Sequence, residues 1–411
     1  MISSRILEFF YFDAGGGHRS AATALKQIIA EHYPNWRVEM VNLQDLLRSI
    51  DPVFRFTNIK SENIYNGLVK HGLTYKSESF LRGLQKGIKM YAPKMEDVLE
   101  RHWQNKRPDL VVSLIPNFNG VMFRALRRVH QDVPYVTVMT DMADCPPRFW
   151  LEKQEQYVIC GSKTAVHQAQ AIGFRPDQIF QVSGMILKPG FYRPTEIDRR
   201  AERERLGLDP DLPTALIMFG GNGCKKSFKI VKRIEQSRFG MQSIVMCGNN
   251  KKLQRKLEKR NEKLQKKPEG RKSCHPVGFV ENVPDFMGLA DVAFGKPGPA
   301  FITESVHCGV PVIIELNKFT MPQEAPNAEF VEQHKVGLVI KSFGKHTKKA
   351  LGKLLNDNTL KQLQRNTRRV RNQAVFEIPP LFKKIMDESG MFTFAAIPVS
   401  TSHVTNRESQ E

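Results

Sequence analysis

The chain has 411 residues, 41% hydrophobic and 25% charged, a size that exceeds one ordinary core and suits two domains of a soluble protein. With 62 Lys and Arg against 42 Asp and Glu, its formal charge is +20, so an anionic partner is expected, either nucleic acid or an anionic membrane surface. No apolar run is long enough to span a bilayer, no leader pattern is visible, and the six cysteines are scattered without a C-x-x-C pair, which together suggest a cytoplasmic chain with reduced thiols and no structural zinc.

Strand-like runs at residues 6–12, 38–41, 110–115, 135–140 and 157–160 alternate with helical patterns such as 20–32 and 163–171. Pro189, Pro194, Pro210 and Pro213 punctuate a charged stretch that reads as a linker. A second alternating half follows, with strands at 214–219, 243–247, 291–294 and 310–315. The expected organisation is an acceptor- and membrane-binding domain over residues 1–190, a linker over 191–213 and a donor-binding domain over 214–345. Basic helices over 346–390 are expected to pack back across the domains, and a polar tail over 391–411 to be disordered. Two doubly wound parallel sheets would hold ligands at the carboxyl ends of their strands, facing a central cleft. Two basic stretches interrupt the alternation. Residues 55–94 place Leu81, Leu84, Ile88 and Tyr91 on one helical face, suited either to a lipid interface or to packing on their own domain. Residues 251–272 read as a solvated charged helix able to add attraction to anionic lipid.

Three motifs carry chemistry. Asp13-Ala14-Gly15-Gly16-Gly17-His18-Arg19-Ser20 sets a histidine on a glycine loop after the first strand; Ser20 in place of a third glycine disfavours a dinucleotide cofactor. Such a histidine can accept a proton from an attacking hydroxyl, with Asp13 or Asp141 supporting it. Phe219-Gly220-Gly221-Asn222-Gly223 offers bare amides to a phosphate after the first strand of the second half. The third motif runs from Gly278-Phe279-Val280 through Lys296-Pro297-Gly298-Pro299 and Glu304 to Gln323-Glu324-Ala325-Pro326-Asn327. Its Pro/Gly turn opens a helix whose positive end suits a departing pyrophosphate.

These residues resemble the monogalactosyldiacylglycerol synthase group of family 28 glycosyltransferases, and through it the bacterial enzyme that adds N-acetylglucosamine to lipid I, over roughly residues 5–50 and 108–345. The resemblance implies a GT-B fold, a UDP-hexose co-substrate (galactose or glucose), inversion at the anomeric carbon, and a lipid acceptor, most simply diacylglycerol; because a helix dipole and a lysine would neutralise the leaving group, no cofactor or divalent metal is expected. It implies His18 as base and a donor site of Gly220, Gly221, Gly223, Phe279, Val280, Glu304, Gln323, Glu324 and Asn327, to which the residues themselves add the turn at Gly298 and Pro299 and a phosphate cation, Lys296 or Lys225. On the acceptor side it points to Gly16, Gly17, Pro147, Phe149 and Trp150. Two departures stand out: Pro146 where the group carries His, and Ala300-Phe301 where it carries Gly-Thr. The competing readings are a UDP-sugar epimerase on the same architecture, a polyanion-binding protein, and a catalytically inactive lipid-binding homologue. No helix-turn-helix, zinc-finger or RRM signature supports nucleic acid. The combined expectation is a glycolipid synthase bound peripherally at the cytoplasmic face of a membrane.

Overall fold

The computed structural model describes residues 4–13, 16–50, 77–193, 197–266, 274–356 and 358–389. Expectations placed on Ala14, Gly15, Pro194, residues 51–76, residues 267–273 and the tail from residue 391 lie outside the described residues, as do the side chains of Leu81 and Leu84.

Two six-stranded parallel sheets organise the chain. The first contains β1 (Arg5–Tyr11), β2 (Trp36–Asn42), β3 (Leu110–Ser113), β4 (Tyr135–Val138), β5 (Tyr157–Cys160) and β6 (Ile179–Gln181), in the order β2-β1-β3-β4-β5-β6. The second contains β7 (Thr214–Met218), β8 (Gln242–Gly248), β9 (Cys274–Gly278), β10 (Val292–Gly295), β11 (Val312–Glu315) and β12 (Gly337–Ile340), in the order β12-β11-β10-β7-β8-β9. Central strands such as Leu110–Ser113 and Thr214–Met218 are buried along their whole length, because helices cover both faces and no polar side need alternate. Strand order reverses between β1 and β3 in the first sheet and between β7 and β10 in the second. Each reversal opens a crevice at the strands' carboxyl ends, and both glycine loops sit in those crevices.

The helix Gly17–His32 covers the first sheet with Ala21, Ala22, Ala24, Leu25, Ile28 and Ile29. The last described helix, Ala374–Ser389, belongs to the same core rather than to the second half that precedes it. Phe382 meets Phe9 edge-on at 5.9 Å, and Arg5 pairs with Asp387 at 2.5 Å. The segment read as a bare linker contains a helix, Arg199–Arg205, that docks on the second half. Buried Arg203 donates to the Leu289 carbonyl at 2.7 Å and to Asp291 Oδ2 at 2.8 Å, so the punctuating prolines mark turns around a packed element.

The basic stretches resolve differently. In the helix Ser77–Gln104, Ile88 and Ala92 pack into a core of the first half, and Met90 on the other side is 73% exposed. That helix is tied down at its end by Glu8, a fully buried carboxylate on β1 that accepts from His102 Nε2 (2.7 Å), Trp103 Nε1 (2.7 Å) and Lys106 Nζ (3.0 Å). In the helix Lys251–Gln265 only Leu253, Leu257 and Asn261 are buried, leaving its lysines in solvent. No described helix is long and apolar enough to cross a membrane.

Candidate functional site

The mouth of the first sheet is assembled from three loops. Gly16 takes a left-handed conformation (φ 78°) to start the helix Gly17–His32, which puts His18 in its first turn. The loop after β4 brings Thr140 Oγ1 to 3.0 Å from His18 Nδ1, and the backbone of Leu114 after β3 favours the imidazole's charged form. Trp150 lies against the same ring, centroids 5.8 Å apart, and donates Nε1–H to Asp141 Oδ2 at 3.0 Å. Burial pushes the His18 imidazole down to about 4, and a helix N-terminus disfavours its cation further. Burial acts oppositely on Asp141: desolvation lifts its carboxyl to about 7, Trp150 and Lys296 opposing and Glu324 adding to the rise.

The mouth of the second sheet is open and charged. Gly220 (φ 75°) and Gly223 (φ 56°) bend the loop after β7, and a Cβ at Gly223 would stand 2.5 Å from the Cys247 carbonyl oxygen. Phe279, beyond β9, leaves its ring 61% exposed beside Gly221. After β10 the turn at Gly298 caps the helix Pro299–His307 with no side-chain hydrogen bond, so no side chain of the cap satisfies its first amides. Lys296 Nζ meets Glu324 Oε1 at 2.8 Å, and both atoms lie within 3.6 Å of a Cβ built at Gly298. A carboxylate and an ammonium are thus clamped together at a helix N-terminus, where an anion is stabilised.

The halves meet at these mouths. Met142 and Met185 of the first half enter a core cluster of the second, and His307 Nε2 lies 3.1 Å from the Phe191 carbonyl oxygen. Lys296 and Glu324 are the second-half charges felt by Asp141, and Lys188 is the charge felt by Glu304. Desolvation lifts the Glu304 carboxyl to about 7, with Lys188 opposing. His18 therefore connects to the turn at Gly298 through Trp150, Asp141 and Lys296.

Several sequence expectations change on contact with this geometry. Thr140, singled out only as part of a motif, is the side chain that engages His18; Asp141 engages Trp150 instead. Asp13 pairs with Arg19 Nε at 2.9 Å and accepts from Asn42 Nδ2 at 3.5 Å. Among the residues expected at the acceptor, Gly16, Gly17 and Pro147 are exposed, whereas Phe149 and Trp150 are buried in a core cluster and present no free face. On the donor side Gln323, Glu324 and Asn327 are all buried. Asn327 holds the turn from behind, donating Nδ2–H to the Pro297 carbonyl at 2.8 Å. Val280 is partly buried beside the exposed Phe279. Phe301, in the place of a phosphate-binding hydroxyl, turns its ring into the core: a Cβ at Gly295 would meet that ring at 2.6 Å. Glu315 went unread, although it accepts from Lys226 Nζ at 2.9 Å and from the Phe343 amide at 3.0 Å. No group of His, Cys, Asp and Glu among the described residues is arranged to hold a metal ion.

Two doubly wound sheets with their glycine loops at facing switch points define the GT-B architecture. The chain overlays on MurG from Acinetobacter baumannii with a TM-score of 0.62 at 13% identity, covering 92% of this chain and 99% of that one. Residues 18–185 match the model of the family described as monogalactosyldiacylglycerol (MGDG) synthase, so this part of the chain is similar to that family. It is 29% identical over 343 residues to monogalactosyldiacylglycerol synthase 1, chloroplastic, of Arabidopsis thaliana, covering 80% of this chain and 61% of the relative. The chloroplastic synthase of Spinacia oleracea is also 29% identical over 343 residues, covering 80% of this chain and 62% of that protein. The chain thus spans about three fifths of the length of these plant relatives.

Proposed function

We propose that this chain is an inverting glycosyltransferase that moves galactose from UDP-galactose to the hydroxyl of diacylglycerol. The observation that carries the reading is the meeting of two unlike mouths: Asp141, beside His18, lies under the charges of Lys296 and Glu324 from the other half. The acceptor hydroxyl enters past Gly16, Gly17 and Pro147 and attacks the anomeric carbon opposite the leaving UDP. Its proton goes to the His18–Asp141 side. The UDP is held by Gly220, Gly221 and Gly223, by the amides after Gly298-Pro299 and by Lys296. Fixed dipoles and one ammonium stabilise the developing charge, so no divalent ion is assigned a step. Glu304 is the ribose ligand of this reading, and Gln323 and Glu324 contact the sugar. Asp13 steadies the first loop through Arg19.

The partner surface is an anionic membrane, approached peripherally. The charge of +20, the exposed lysines of the helix Lys251–Gln265 and the exposed Met90 support that choice. Incubating the protein with radiolabelled UDP-galactose or UDP-glucose and diacylglycerol in anionic vesicles, then separating the lipids, tests the reading. Label is expected in a monohexosyl lipid, with galactose favoured and activity retained in EDTA. Label found only in a free epimerised nucleotide sugar supports the epimerase instead.

A further inference from the structure

The second sheet keeps its two faces chemically apart. β7 sends Ala215 and Ile217 into one core and Leu216 and Met218 into another, so the two cores lie on opposite faces of the sheet. Three helices over the core that takes Met142 and Met185 from the first half, Val283–Gly288, Pro299–His307 and Ala325–Gln333, carry four acids and no Lys or Arg. Three helices over the other face, Lys225–Glu235, Lys251–Gln265 and Phe343–Asn356, bury Ile230, Leu257 and Leu351 in a shared core. They carry five, seven and four Lys or Arg against one, two and no acids. Some of that charge is spoken for, since Arg260 pairs with Glu235 and Lys226 with Glu315. Lys252, Arg255, Lys259 and Lys263 are exposed along one stripe of their helix and form no ion pair among the described residues. Like charges at this spacing repel one another, and an anionic surface laid against them removes the repulsion.

Resting on the transfer reading above, in which the acceptor is a lipid, we propose that this basic layer of the second half is the face that docks on an anionic bilayer. The contact is electrostatic and does not insert. Among the described residues the exposed large hydrophobic side chains are Met90, Phe279 and Phe319, none of them on these helices. Nucleic acid suits the layer less well. Its Phe228 and Phe239 lie under Lys256 (4.0 Å) and Arg238 (5.4 Å), which leaves them poorly placed to stack on bases. The position of the layer fits the reaction. The helix Lys225–Glu235 starts directly after the loop at Gly220–Gly223, so the layer borders the mouth assigned to UDP. A bilayer on this face leaves the opposite core, where the halves meet, uncovered.

The test is flotation with phosphatidylcholine vesicles, alone or with about 30% phosphatidylserine, between about 50 and 300 mM salt. The wild type is expected to float only with the anionic vesicles and to lose at least about tenfold in partitioning over that salt range. Reversing the stripe together (Lys252→Glu, Arg255→Glu and Lys259→Glu) should cost at least about tenfold at low salt. A gentler set with Gln at the same three positions guards against misfolding and should cost about threefold. Reversing three exposed lysines of the first-half helix Ser77–Gln104 (Lys86→Glu, Lys89→Glu and Lys94→Glu) should cost less than about threefold. Galactolipid formation from detergent-dispersed diacylglycerol should stay within about twofold in every variant, because surface substitutions away from a site change little. Stripe variants that float like the wild type, or a larger loss from the first-half set, overturn the docking face. So does a wild type retained by double-stranded DNA and not by the vesicles. A wild type that floats with anionic vesicles yet makes no glycolipid in detergent overturns the transfer reading and leaves the docking face standing.

Discussion

The first half presents polar groups that are already engaged and desolvated, with His18 between Thr140, Leu114 and Trp150, and Asp141 on the indole nitrogen. The second presents an uncapped helix start, an exposed phenyl ring and an ammonium paired with a carboxylate of its own half. The difference matches what each side would do on the transfer reading. A proton acceptor gains from a dry, fixed setting that tunes its acidity, whereas a site for a large dianionic leaving group must stay open and cationic until it is filled. The carboxylate of Glu324 stands at the helix N-terminus as a stand-in for the anion expected there.

The largest effect on turnover should come from removing the cation on the open side. Lys296→Met is expected to lower kcat/KM for the donor by about 100- to 1,000-fold, or about 3–4 kcal/mol of transition-state stabilisation. Because Lys296 is half exposed, the melting temperature should move little. Initial rates at varied UDP-galactose decide this, and a loss below tenfold removes Lys296 from the leaving-group site.

Next comes the residue where the chain departs from the family it resembles. Restoring the hydroxyl with Phe301→Thr should leave UDP affinity unchanged while destabilising the fold by about 3–5 kcal/mol, because a buried ring is deleted above Gly295. Calorimetric UDP titration beside thermal unfolding separates the two. Tighter UDP binding would mean that the turn can rotate that side chain outward.

The desolvated side makes its own prediction about pH. Asp141 and Glu304 have folded acidities near 7, above the usual carboxylate value near 4, so the fold favours their protonated forms. Raising the pH from about 4 through 7 therefore removes stability, and at pH 8 each ionised carboxylate is a cost. Asp141→Asn and Glu304→Gln should each stabilise the protein at pH 8 by about 1–3 kcal/mol, the gain shrinking through pH 7 and vanishing below pH 4. Melting temperatures across that series check it. A constant or absent gain would mean that the two carboxyls are better solvated than their setting suggests, and a stability gain alongside lost turnover is the usual exchange at a working site.

Much of this was legible beforehand, and what was missed has a physical reason. The central strands declare themselves because residues such as those of Thr214–Met218 are buried on both faces and read as unbroken apolar runs. Three of the four edge strands, Ile179–Gln181, Cys274–Gly278 and Gly337–Ile340, went unread because each is short and mostly half-buried, so composition barely marks it. The glycine loops were plain, since backbone that must turn sharply requires glycine. The partner of His18 was not, because Thr140 lies 122 positions away and only the sheet order brings β1 and β4 to one mouth. Phe149 and Trp150 show the converse: aromatic residues in an acceptor-like motif suggested contact, and the fold buries both in a core cluster. Nothing local distinguishes those two uses.

The smallest expected effect bears on the open side alone. Phe279 is a large apolar side chain left 61% exposed, and a single exposed hydrophobe is ordinary in itself. On the transfer reading, its place beside Gly221 suits it to serve as a platform for the uracil ring. Phe279→Ala should weaken UDP binding by about 1 kcal/mol, or about fivefold, the low end of aromatic–base stacking. It should leave inorganic pyrophosphate binding unaltered and shift stability by less than about 0.5 kcal/mol, since little surface is lost from the core. Parallel titrations with the two ligands carry the decision. If both weaken equally, the ring is shaping the glycine loop rather than receiving a base, and the openness of this mouth is a property of its backbone alone.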